Sequence, residues 1–540
     1  MTLRLSGSFV RVILERHGGP GACRALAEFG HESLPDTDVR KPLDRLGVPC
    51  QHHRMEDLDH NACYRAVKLR DARFDGRFFT AVKTTKIYCR PICPARTPLS
   101  KNVVFFPTAA AAQEAGFRPC LRCRPETAPD MGAWRGTSNT VSRGLALIEL
   151  GALDESDVEG LATRLGLGER QLRRLFRTHL GASPIAVAQT RRILLAKQLV
   201  HETRLPMTEI AFAAGFGSIR RFNETFQALY GRPPSALRRL GGADIPVADH
   251  GEFSLLLRYQ PPYDWPAMLE FLRARAIPGV EHVDDSSYAR TFSLDGVQGT
   301  VTVRPAQGNA LKANIRTAKL SILPRIIARL RRVFDLAADP LAISAHLATD
   351  PTLAPLVSKR PGLRVPGAWD GFELAIRAVL GQQITVSGAI KLAGRLVAKY
   401  GEPMAHPEGD LTHIFPLPEA LASAKLASLG MPAARAATLS AVAAAVIADP
   451  DLLGAHISLE EAIKRLRSIR GVGEWTAQYI ALRQLREPDA FPAADIGLLR
   501  ALADSDGRRP DADELLAQAE KWRPWRAYAA QHVWTGMPGR

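Results

Sequence analysis

The stretch that decides the fold of the C-terminal third is Leu466-Arg-Ser-Ile-Arg-Gly471-Val472-Gly473-Glu-Trp475-Thr476-Ala477-Gln-Tyr479. An apolar helix leads into Gly-Val-Gly, and a second helix begins at once, which predicts a helix-hairpin-helix. The glycines let the turn approach a phosphate closely, and the N-terminus of the second helix points amide hydrogens at that phosphate. We therefore expect the following residues to contact DNA: Gly471, Val472, Gly473 and Thr476.

A carboxylate follows the hairpin in Phe491-Pro492-Ala-Ala-Asp495. A buried carboxylate can stabilise the positive charge that develops on a sugar when its glycosidic bond breaks. Asp495 also precedes Ile496-Gly-Leu498-Leu499, so a helix N-cap is the alternative interpretation. The aromatic side chains that could hold a planar cationic group by stacking and cation–π attraction are Trp475, Tyr479 and Trp534. Core packing is the alternative for each of these three rings.

The hairpin and the later aspartate resemble the helix-hairpin-helix glycosylase superfamily. The resemblance implies that Asp495 is the catalytic aspartate and that Trp475, Tyr479 and Trp534 are candidates for the pocket of the flipped alkylated base. Trp475 stands where bifunctional members carry a Schiff-base lysine, so strand cleavage by β-lyase chemistry is not expected. No cysteine follows Cys123, which excludes the iron–sulfur cluster of some relatives.

Three further stretches narrow the resemblance to 3-methyladenine DNA glycosylase II, the AlkA type. They are Tyr259-Gln-Pro-Pro-Tyr-Asp-Trp265, Asp285-Ser-Ser-Tyr-Ala-Arg290 and Arg377-Ala-Val-Leu-Gly-Gln-Gln383. The resemblance implies monofunctional hydrolysis of the N-glycosidic bond of N-alkylated purines such as 3-methyladenine. The DNA wedge of the family falls on Gln383, in the substrate site, and Ile384 is an alternative.

Metal chemistry is confined to the N-terminal part of the chain. All seven cysteines lie between Cys23 and Cys123, and their odd number, without a signal-peptide pattern, argues against a disulfide framework. Two close pairs, Cys89-Arg-Pro-Ile-Cys93 and Cys120-Leu-Arg-Cys123, supply four thiolates at a spacing that suits tetrahedral Zn²⁺. A closed zinc ribbon and a site with a nucleophilic thiolate both fit this spacing.

The sequence around these cysteines resembles the N-terminal domain of Ada, which repairs methyl phosphotriesters in DNA. The resemblance rests on Ala81-Val-Lys-Thr-Thr-Lys-Ile-Tyr-Cys-Arg-Pro91 and Ala115-Gly-Phe-Arg-Pro-Cys120. It implies that Cys89 accepts the methyl group irreversibly. Methylation neutralises one negative ligand and lowers the repulsion towards the DNA backbone, which makes the site a sensor. The candidate phosphate contacts, which could equally be surface arginines, are Arg90, Arg96 and Arg118.

Two segments in the middle of the chain share one plan. Residues 158–176 and 207–226 each contain a scaffold helix, a tight turn at Gly166 or Gly215, and a second helix with basic residues outward. Paired helix-turn-helix units can place two recognition helices in successive major grooves, whereas an ordinary helical bundle is the alternative. The segments resemble AraC-type DNA-binding domains, with Leu172, Phe176, Phe222 and Phe226 in the core. The candidate DNA contacts are Arg170, Gln171, Arg220, Arg221 and Asn223.

The bulk properties agree with this organisation. The net charge of +16 fits a polyanion partner, although a solvated basic surface would give the same value. Residues 1–54 lack sustained periodicity, which suggests a disordered leader or a start-site artefact. We expect a multidomain α+β protein with a small zinc-bound α/β domain at 55–130, an all-α paired helix-turn-helix at 140–240, a small α+β sheet domain at 250–320 and an all-α helix-hairpin-helix domain at 321–540.

The expected partners are double-stranded DNA that contains alkylated bases and methyl phosphotriesters, promoter DNA, and RNA polymerase. No membrane span or signal peptide is expected, and this predicts a cytoplasmic protein. Two other interpretations stay open. The protein could be mainly a transcription regulator whose glycosylase part has lost activity, or an enzyme whose N-terminal half only delivers it to DNA.

Overall fold

The computed structural model describes residues 59–129, 139–240, 252–454, 457–504 and 506–536, together with three short strands near the N-terminus. The chain divides into two compact units, Met1–His52 and His53–Arg540. In the first unit, β1 (Thr2–Leu5), β2 (Ser8–Ile13) and β3 (Leu26–Ala27) form an antiparallel sheet. The rest of the predicted leader lies outside the described residues, so the interpretation of residues 1–54 stays a prediction.

The second unit begins with a small α/β domain. Helix α1 (His60–Leu69) precedes a four-stranded sheet of order β6-β4-β5-β7, and helix α2 (Ala109–Glu114) packs beside it. The strands are β4 (Phe79–Val82), β5 (Ile87–Cys89), β6 (Val103–Phe106) and β7 (Arg118–Pro119). The three longer strands lie where the apolar, β-branched and aromatic runs predict them.

Eight helices follow in the predicted helix-turn-helix region. They are α3 (Asn139–Glu149), α4 (Ala152–Glu155), α5 (Val158–Arg164), α6 (Glu169–Leu180), α7 (Pro184–Glu202), α8 (Met207–Ala213), α9 (Ile219–Tyr230) and α10 (Pro234–Leu240). The turns at Gly166 and Gly215 have φ of +69° and +86°, which glycine adopts without strain. The four predicted core side chains, Leu172, Phe176, Phe222 and Phe226, are fully buried. The two recognition helices α6 and α9 therefore form as predicted.

A five-stranded antiparallel sheet of order β8-β12-β11-β10-β9 comes next, with helix α11 (Trp265–Arg273) packed on it. The strands are β8 (Glu252–Arg258), β9 (Glu281–Val283), β10 (Tyr288–Leu294), β11 (Val297–Ala306) and β12 (Ala310–Thr317). Every second residue of β8 is buried, as expected for a strand with one face on the core. The strand-like runs at 254–259, 288–294 and 299–304 predict β8, β10 and β11, whereas β9 and β12 were not predicted.

The C-terminal half is helical, as predicted. Its helices are α12 (Leu323–Val333), α13 (Pro340–Leu347), α14 (Ala354–Lys359), α15 (Gly371–Leu380), α16 (Val386–Tyr400), α17 (Pro418–Ala422), α18 (Ala433–Ala448), α19 (Leu459–Arg467), α20 (Glu474–Ile480), α21 (Ile496–Ala501), α22 (Ala512–Gln518) and α23 (Arg526–Gly536). One two-stranded hairpin, β13 (Glu402–Glu408) and β14 (Leu411–Ile414), was not predicted. The hairpin packs against strand β10 of the five-stranded sheet, where the Thr291 hydroxyl donates to the His413 carbonyl at 2.7 Å.

The second helix-turn-helix and the five-stranded sheet share one hydrophobic core. Buried side chains of α7 to α10 belong to the same cluster as those of β8, β10, β11, β12 and α12. At the junction, the Glu202 carboxylate accepts from the Leu256 amide at 3.1 Å, and the Gln198 amide donates to the Leu256 carbonyl at 2.9 Å. The DNA-binding region and the glycosylase-like region are therefore packed together. None of the described helices has the length and apolar character that a membrane crossing needs.

Candidate active site and zinc centre

Asp495 lies at the N-terminus of α21, on the wall of a cavity of about 1210 Å³. Its carboxylate accepts the Trp475 indole N–H at 2.8 Å and the Trp534 indole N–H at 2.9 Å. It also accepts the Leu498 amide at 3.0 Å, so it caps the helix as the alternative interpretation proposed. The cap and the cavity position coexist, and the two indoles fix the orientation of the carboxylate towards the cavity.

The three predicted aromatic side chains meet at this cavity. The Trp475 and Tyr479 rings are stacked, with centroids 5.4 Å apart and planes 12° apart. The Trp534 ring stands edge-on to Tyr479 at 6.5 Å. Trp534 is buried, yet it lines the cavity together with the other two rings. The rings therefore form an aromatic slot wall beside Asp495, against which a planar base can stack.

The predicted hairpin forms between α19 and α20. Gly471 and Gly473 are exposed at the turn, and Gly471 has a φ of +86°. A Cβ at Gly471 would lie 1.9 Å from the Thr438 hydroxyl oxygen, so no side chain fits there. Val472 is buried and its amide donates to the Ile469 carbonyl at 3.0 Å. The two glycines are therefore the exposed part of this turn, while Val472 belongs to the core.

A second loop lies against the hairpin, a contact that the sequence pattern did not predict. The Gln382 side-chain amide donates to the Gly471 carbonyl and to the Thr476 hydroxyl, both at 3.0 Å. Thr476 is buried, so its side chain supports the turn. The next residue, Gln383, is exposed and has a φ of +55°, a left-handed conformation that strains a non-glycine residue. Ile384 is exposed beside it.

The far wall of the cavity carries positive charge that the sequence analysis did not predict. Arg483 is only 2% exposed, and its guanidinium lies 4.5 Å from the Phe271 ring centroid. The Arg275 guanidinium lies 3.9 Å from the same centroid. Burial opposes ionisation of Tyr479, but the positive charges of Arg483 and Arg275 lower its pKa. No motif in the sequence distinguishes Arg483 from a surface arginine.

The four predicted zinc ligands come together in the α/β domain. The sulfur atoms of Cys89, Cys93, Cys120 and Cys123 all lie within 4.8 Å of one another. The Arg122 amide donates to the Cys120 sulfur and the Arg90 amide to the Cys123 sulfur, both at 3.3 Å, as expected for negatively charged thiolates. Four thiolates at this separation fit a tetrahedral Zn²⁺. Cys120 and Cys123 are buried, whereas Cys89 and Cys93 are partly exposed.

The three arginines near the zinc centre differ in their surroundings. The Arg90 side chain is mostly buried, forms an ion pair with Asp75 and donates to the Thr127 hydroxyl at 2.7 Å. Arg90 therefore stabilises the fold of the domain. Its guanidinium is not free to contact a phosphate, contrary to the prediction. Arg96 is exposed and Arg118 is partly exposed, as phosphate contacts require.

The five candidate DNA contacts of the helix-turn-helix units all lie on exposed faces. Arg170 and Gln171 are exposed at the start of α6, and Arg220, Arg221 and Asn223 are exposed at the start of α9. Arg220 forms an ion pair with Glu224 at 2.8 Å across one turn of the helix. An exposed pair of this kind contributes little stability, so the Arg220 guanidinium can exchange Glu224 for a phosphate or a base.

Family models match four successive stretches of the chain. They describe the metal binding domain of Ada (residues 62–126), a helix-turn-helix domain (161–240), the AlkA N-terminal domain (254–370) and the HhH-GPD superfamily of base excision DNA repair proteins (376–527). These matches confirm the predicted fold class and all three predicted resemblances. The cysteine cluster falls inside the metal binding domain of Ada, which confirms Zn²⁺ as the metal.

Curated relatives match either most of the chain or one part of it. A Mycobacterium tuberculosis protein named "Probable bifunctional transcriptional activator/DNA repair enzyme AlkA" is 43% identical over 481 residues, 89% of this chain and 97% of its own length. Escherichia coli DNA-3-methyladenine glycosylase 2 is 37% identical over 52% of this chain and 95% of its own length. The Salmonella typhimurium regulatory protein ada is 32% identical over 35% of this chain and 52% of its own length.

The order of the four matched domains and the match along nearly the full length of one relative lead to the same assignment. The chain belongs to the family of AlkA-type bifunctional transcriptional activators and DNA repair enzymes.

Proposed function

We propose that the chain releases N-alkylated purines such as 3-methyladenine from duplex DNA, with Asp495 as the catalytic carboxylate. The observation that carries the proposal is the position of Asp495 in the wall of the aromatic cavity, where two indole N–H groups orient it. A cationic alkylated base would stack against the aromatic wall formed by Trp475, Tyr479 and Trp534, whose electron-rich faces attract positive charge.

The chemistry is a hydrolysis without a covalent enzyme intermediate. As the bond between the sugar C1′ and the base nitrogen breaks, its electron pair stays on the base and positive charge develops on the sugar. The Asp495 carboxylate stabilises this charge electrostatically while water adds to C1′ and loses a proton to solvent. The absence of a lysine at position 475 leaves no Schiff base to start strand cleavage.

The duplex would be held at two loops beside the cavity. The exposed turn at Gly471 and Gly473 would bind a phosphate through its amides and the N-terminus of α20. Gln383 would fill the gap that the flipped nucleotide leaves in the stack, with Ile384 as the alternative wedge. The strained backbone at Gln383 supports this role, because such strain clusters at functional sites.

We propose that Cys89 is the methyl acceptor of the zinc centre. A bond forms between its sulfur and the methyl carbon, the bond from that carbon to the phosphotriester oxygen breaks, and the electron pair stays on the phosphate. Cys89, Cys93, Cys120 and Cys123 would hold Zn²⁺, which would keep their thiolates deprotonated and nucleophilic at neutral pH. The partial exposure of Cys89 supports this choice over the buried Cys120 and Cys123, and Arg96 and Arg118 would contact the backbone.

The finer regulatory partners are also proposals. Promoter DNA would be read by the exposed side chains on α6 and α9: Arg170, Gln171, Arg220, Arg221 and Asn223. RNA polymerase would be the partner of the promoter-bound protein. The cytoplasm is the compartment we propose, because every substrate in this scheme is DNA.

The test of the glycosylase proposal is the release of methylated purines from alkylated duplex DNA. Asp495→Asn should abolish release, because the amide cannot stabilise the sugar cation, while DNA binding persists. The control is Asp511→Asn, since Asp511 caps α22 in the same way as Asp495 caps α21 but does not line the cavity.

Three outcomes separate the hypotheses. Release by the wild type and by Asp511→Asn, but not by Asp495→Asn, supports the proposal. Near wild-type release by Asp495→Asn refutes the catalytic assignment. No release by the wild type leaves a regulator whose glycosylase part is inactive.

A further inference from the structure

Arg483 places a buried positive charge in the wall of the base cavity. Its guanidinium carbon lies 4.5 Å from the Phe271 ring centroid and 5.4 Å from the centroids of Tyr479 and Trp534. Two of these rings belong to the slot proposed for the base. The same rings would therefore contact a protein cation and an alkylated base at once.

Neutral groups hold the charged end of Arg483. Its two terminal nitrogens donate to the Pro366 carbonyl at 2.9 Å and the Gln531 side-chain carbonyl at 3.0 Å. No carboxylate within the described part of the chain forms an ion pair with it. Burial lowers the pKa of Arg483 to about 10, so the guanidinium still carries its charge at neutral pH.

An unusual turn of helix directs Arg483 to this place. Residues Ala481–Leu485 form a π-helical turn that continues α20, the helix that carries Trp475 and Tyr479. Such turns are rare and are frequent at functional sites. A buried cation without a counter-ion costs stability, which indicates a role beyond packing.

We propose that Arg483 speeds base release and sets selectivity between charged and neutral bases. This inference rests on the proposed glycosylase function and deepens it. When an N7-methylated purine leaves, the bonding electron pair neutralises the base, and the positive charge moves to the sugar beside Asp495. Arg483 lies against the rings proposed to hold the base, so it repels the charge on the bound base more strongly than the same charge once it has moved to the sugar, and this difference favours departure.

A neutral base differs from a cationic base in its charge both before and during bond breaking. It has no positive charge to be repelled in the bound state, and it gathers negative charge as it leaves. Arg483 attracts that negative charge in the transition state. The guanidinium therefore weakens the ground-state binding of cationic bases but aids the bond-breaking step for both classes of base.

The experiment compares the full-length protein with Arg483→Met and Arg483→Lys. The rate probe is a duplex with one 7-methylguanine, measured in single turnover. The binding probes are two duplexes with 2′-fluoro sugars that resist hydrolysis: one carries cationic 7-methylguanine and the other its neutral isostere 7-deaza-7-methylguanine. The matched control is Arg332→Met, because Arg332 is also held by carbonyls, those of Ala368 and Trp369, but does not line the cavity.

Arg483→Met should lower the single-turnover rate about tenfold, which corresponds to about 1.4 kcal/mol. It should also shift the ratio of the two Kd values about tenfold in favour of the cationic probe. Arg483→Lys should restore the ratio of Kd values towards the wild type, because it restores the charge. Arg332→Met should leave that ratio unchanged.

An unchanged ratio of Kd values in Arg483→Met overturns the inference, whatever happens to the rate or to thermal stability. A merely structural role would weaken both probes equally, and Arg483→Lys would not restore them. Absence of 7-methylguanine release by the wild type would refute the proposed function instead, before any variant is compared.

Discussion

The carboxylate of Asp495 accepts three N–H groups, one from the backbone of its own helix and two from indoles on α20 and α23. The hydrogen bond from the backbone amide is the ordinary N-cap bond, which an Asp at the N-terminus of any helix can accept. The two indole donors require Trp475 and Trp534 to approach from different helices. The sequence predicted all three residues as site residues, because the hairpin motif favoured a catalytic role for Asp495 over a helix cap alone. It did not predict that the two indoles donate to the carboxylate.

The positions of Arg483 and Arg275 in the cavity wall could not be predicted from the sequence. An arginine in a helical stretch is usually exposed, and no spacing pattern marks one that turns inward against aromatic rings. The π-helical turn that points Arg483 into the cavity wall depends on tertiary packing and leaves no periodic signal. Burial and charge of this kind become visible only in three dimensions.

The stability of the helical domain should depend on the protonation of Glu487. Burial raises the pKa of Glu487 to about 7. Its contribution to stability is therefore fully present below the ordinary carboxyl pKa and is lost as pH rises through 7, because the unfolded state then prefers the charged form. Glu487→Gln should raise the free energy of unfolding at pH 8 by about 2 kcal/mol and leave it nearly unchanged at about pH 4.5.

Denaturant unfolding of the wild type and Glu487→Gln at the two pH values measures this difference. Glu514→Gln is the control, since Glu514 is exposed at the N-terminus of α22. An equal effect of Glu487→Gln at the acidic and the alkaline pH would contradict the assignment of the titration to Glu487.

At the level of elements, the side chain of Gln382 connects the proposed wedge loop to the hairpin of α19 and α20. Gln382 bonds the Gly471 carbonyl and the Thr476 hydroxyl, and it stands next to Gln383. Glycines and flanking helices predicted the hairpin, whereas the loop at Gln383 was implied by the resemblance to the AlkA type. The sequence could not predict the bond between them, which spans distant parts of the chain.

Gln382→Ala should uncouple nucleotide flipping from phosphate binding. We expect kcat/KM to fall about tenfold for a lesion in a fully paired duplex, because the wedge is no longer held against the hairpin. A lesion opposite an abasic site is already partly unstacked, so its release should fall much less. Base-release kinetics on the two duplexes measure the difference.

Gln298→Ala is the matched control for Gln382→Ala. The Gln298 side chain also makes several hydrogen bonds, including one to Glu402 at 2.8 Å, but it lies outside the cavity. Equal losses on the paired and the unstacked duplex would indicate that Gln382 supports only the fold.

The hairpin of β13 and β14 is another element that the sequence did not predict. Strand β13 contains two prolines, Pro403 and Pro407, in Glu402-Pro-Met-Ala-His-Pro-Glu408, and nearly all of it is exposed. Proline cannot donate to a strand ladder, and the run lacks alternation of apolar and polar residues. The strand forms because β14 pairs with it and β14 packs on β10, which is tertiary information.

At the level of the whole molecule, the metal binding domain, the helix-turn-helix domain and the glycosylase domain belong to one compact unit, His53–Arg540. The sequence predicted separate domains at 55–130, 140–240, 250–320 and 321–540. It did not predict the core that the second helix-turn-helix shares with the five-stranded sheet. Apolar residues that face another domain have the same periodicity as those that face their own.

Methylation of Cys89 should tighten the binding of the full-length protein to promoter DNA. One negative ligand is neutralised near the phosphates, so we expect affinity to rise roughly three- to tenfold at low salt. The gain should shrink at higher salt, which screens the charge. Titrations at two salt concentrations, with methylated and unmethylated protein, measure the effect.

The methylated cysteine is identified by mass spectrometry as S-methylcysteine. Cys89→Ala should take up no methyl group after exposure to methylated DNA, yet it should release alkylated purines normally. Equal affinities of methylated and unmethylated protein for promoter DNA at low salt would contradict the prediction that methylation of Cys89 regulates DNA binding.

The shared core has a consequence for biosynthesis. Helices α8 and α9 leave the ribosome before β8 to β12 and α12 have been made, although their buried side chains belong to one cluster. At roughly 5–20 residues per second, the intervening chain takes several seconds to synthesise. During that interval the nascent helix-turn-helix exposes apolar surface. Only the later strands and α12 cover this surface in the folded protein. A chain truncated after α10 would keep that exposure permanently, so ribosome-associated chaperones should bind the truncated product longer than the complete one.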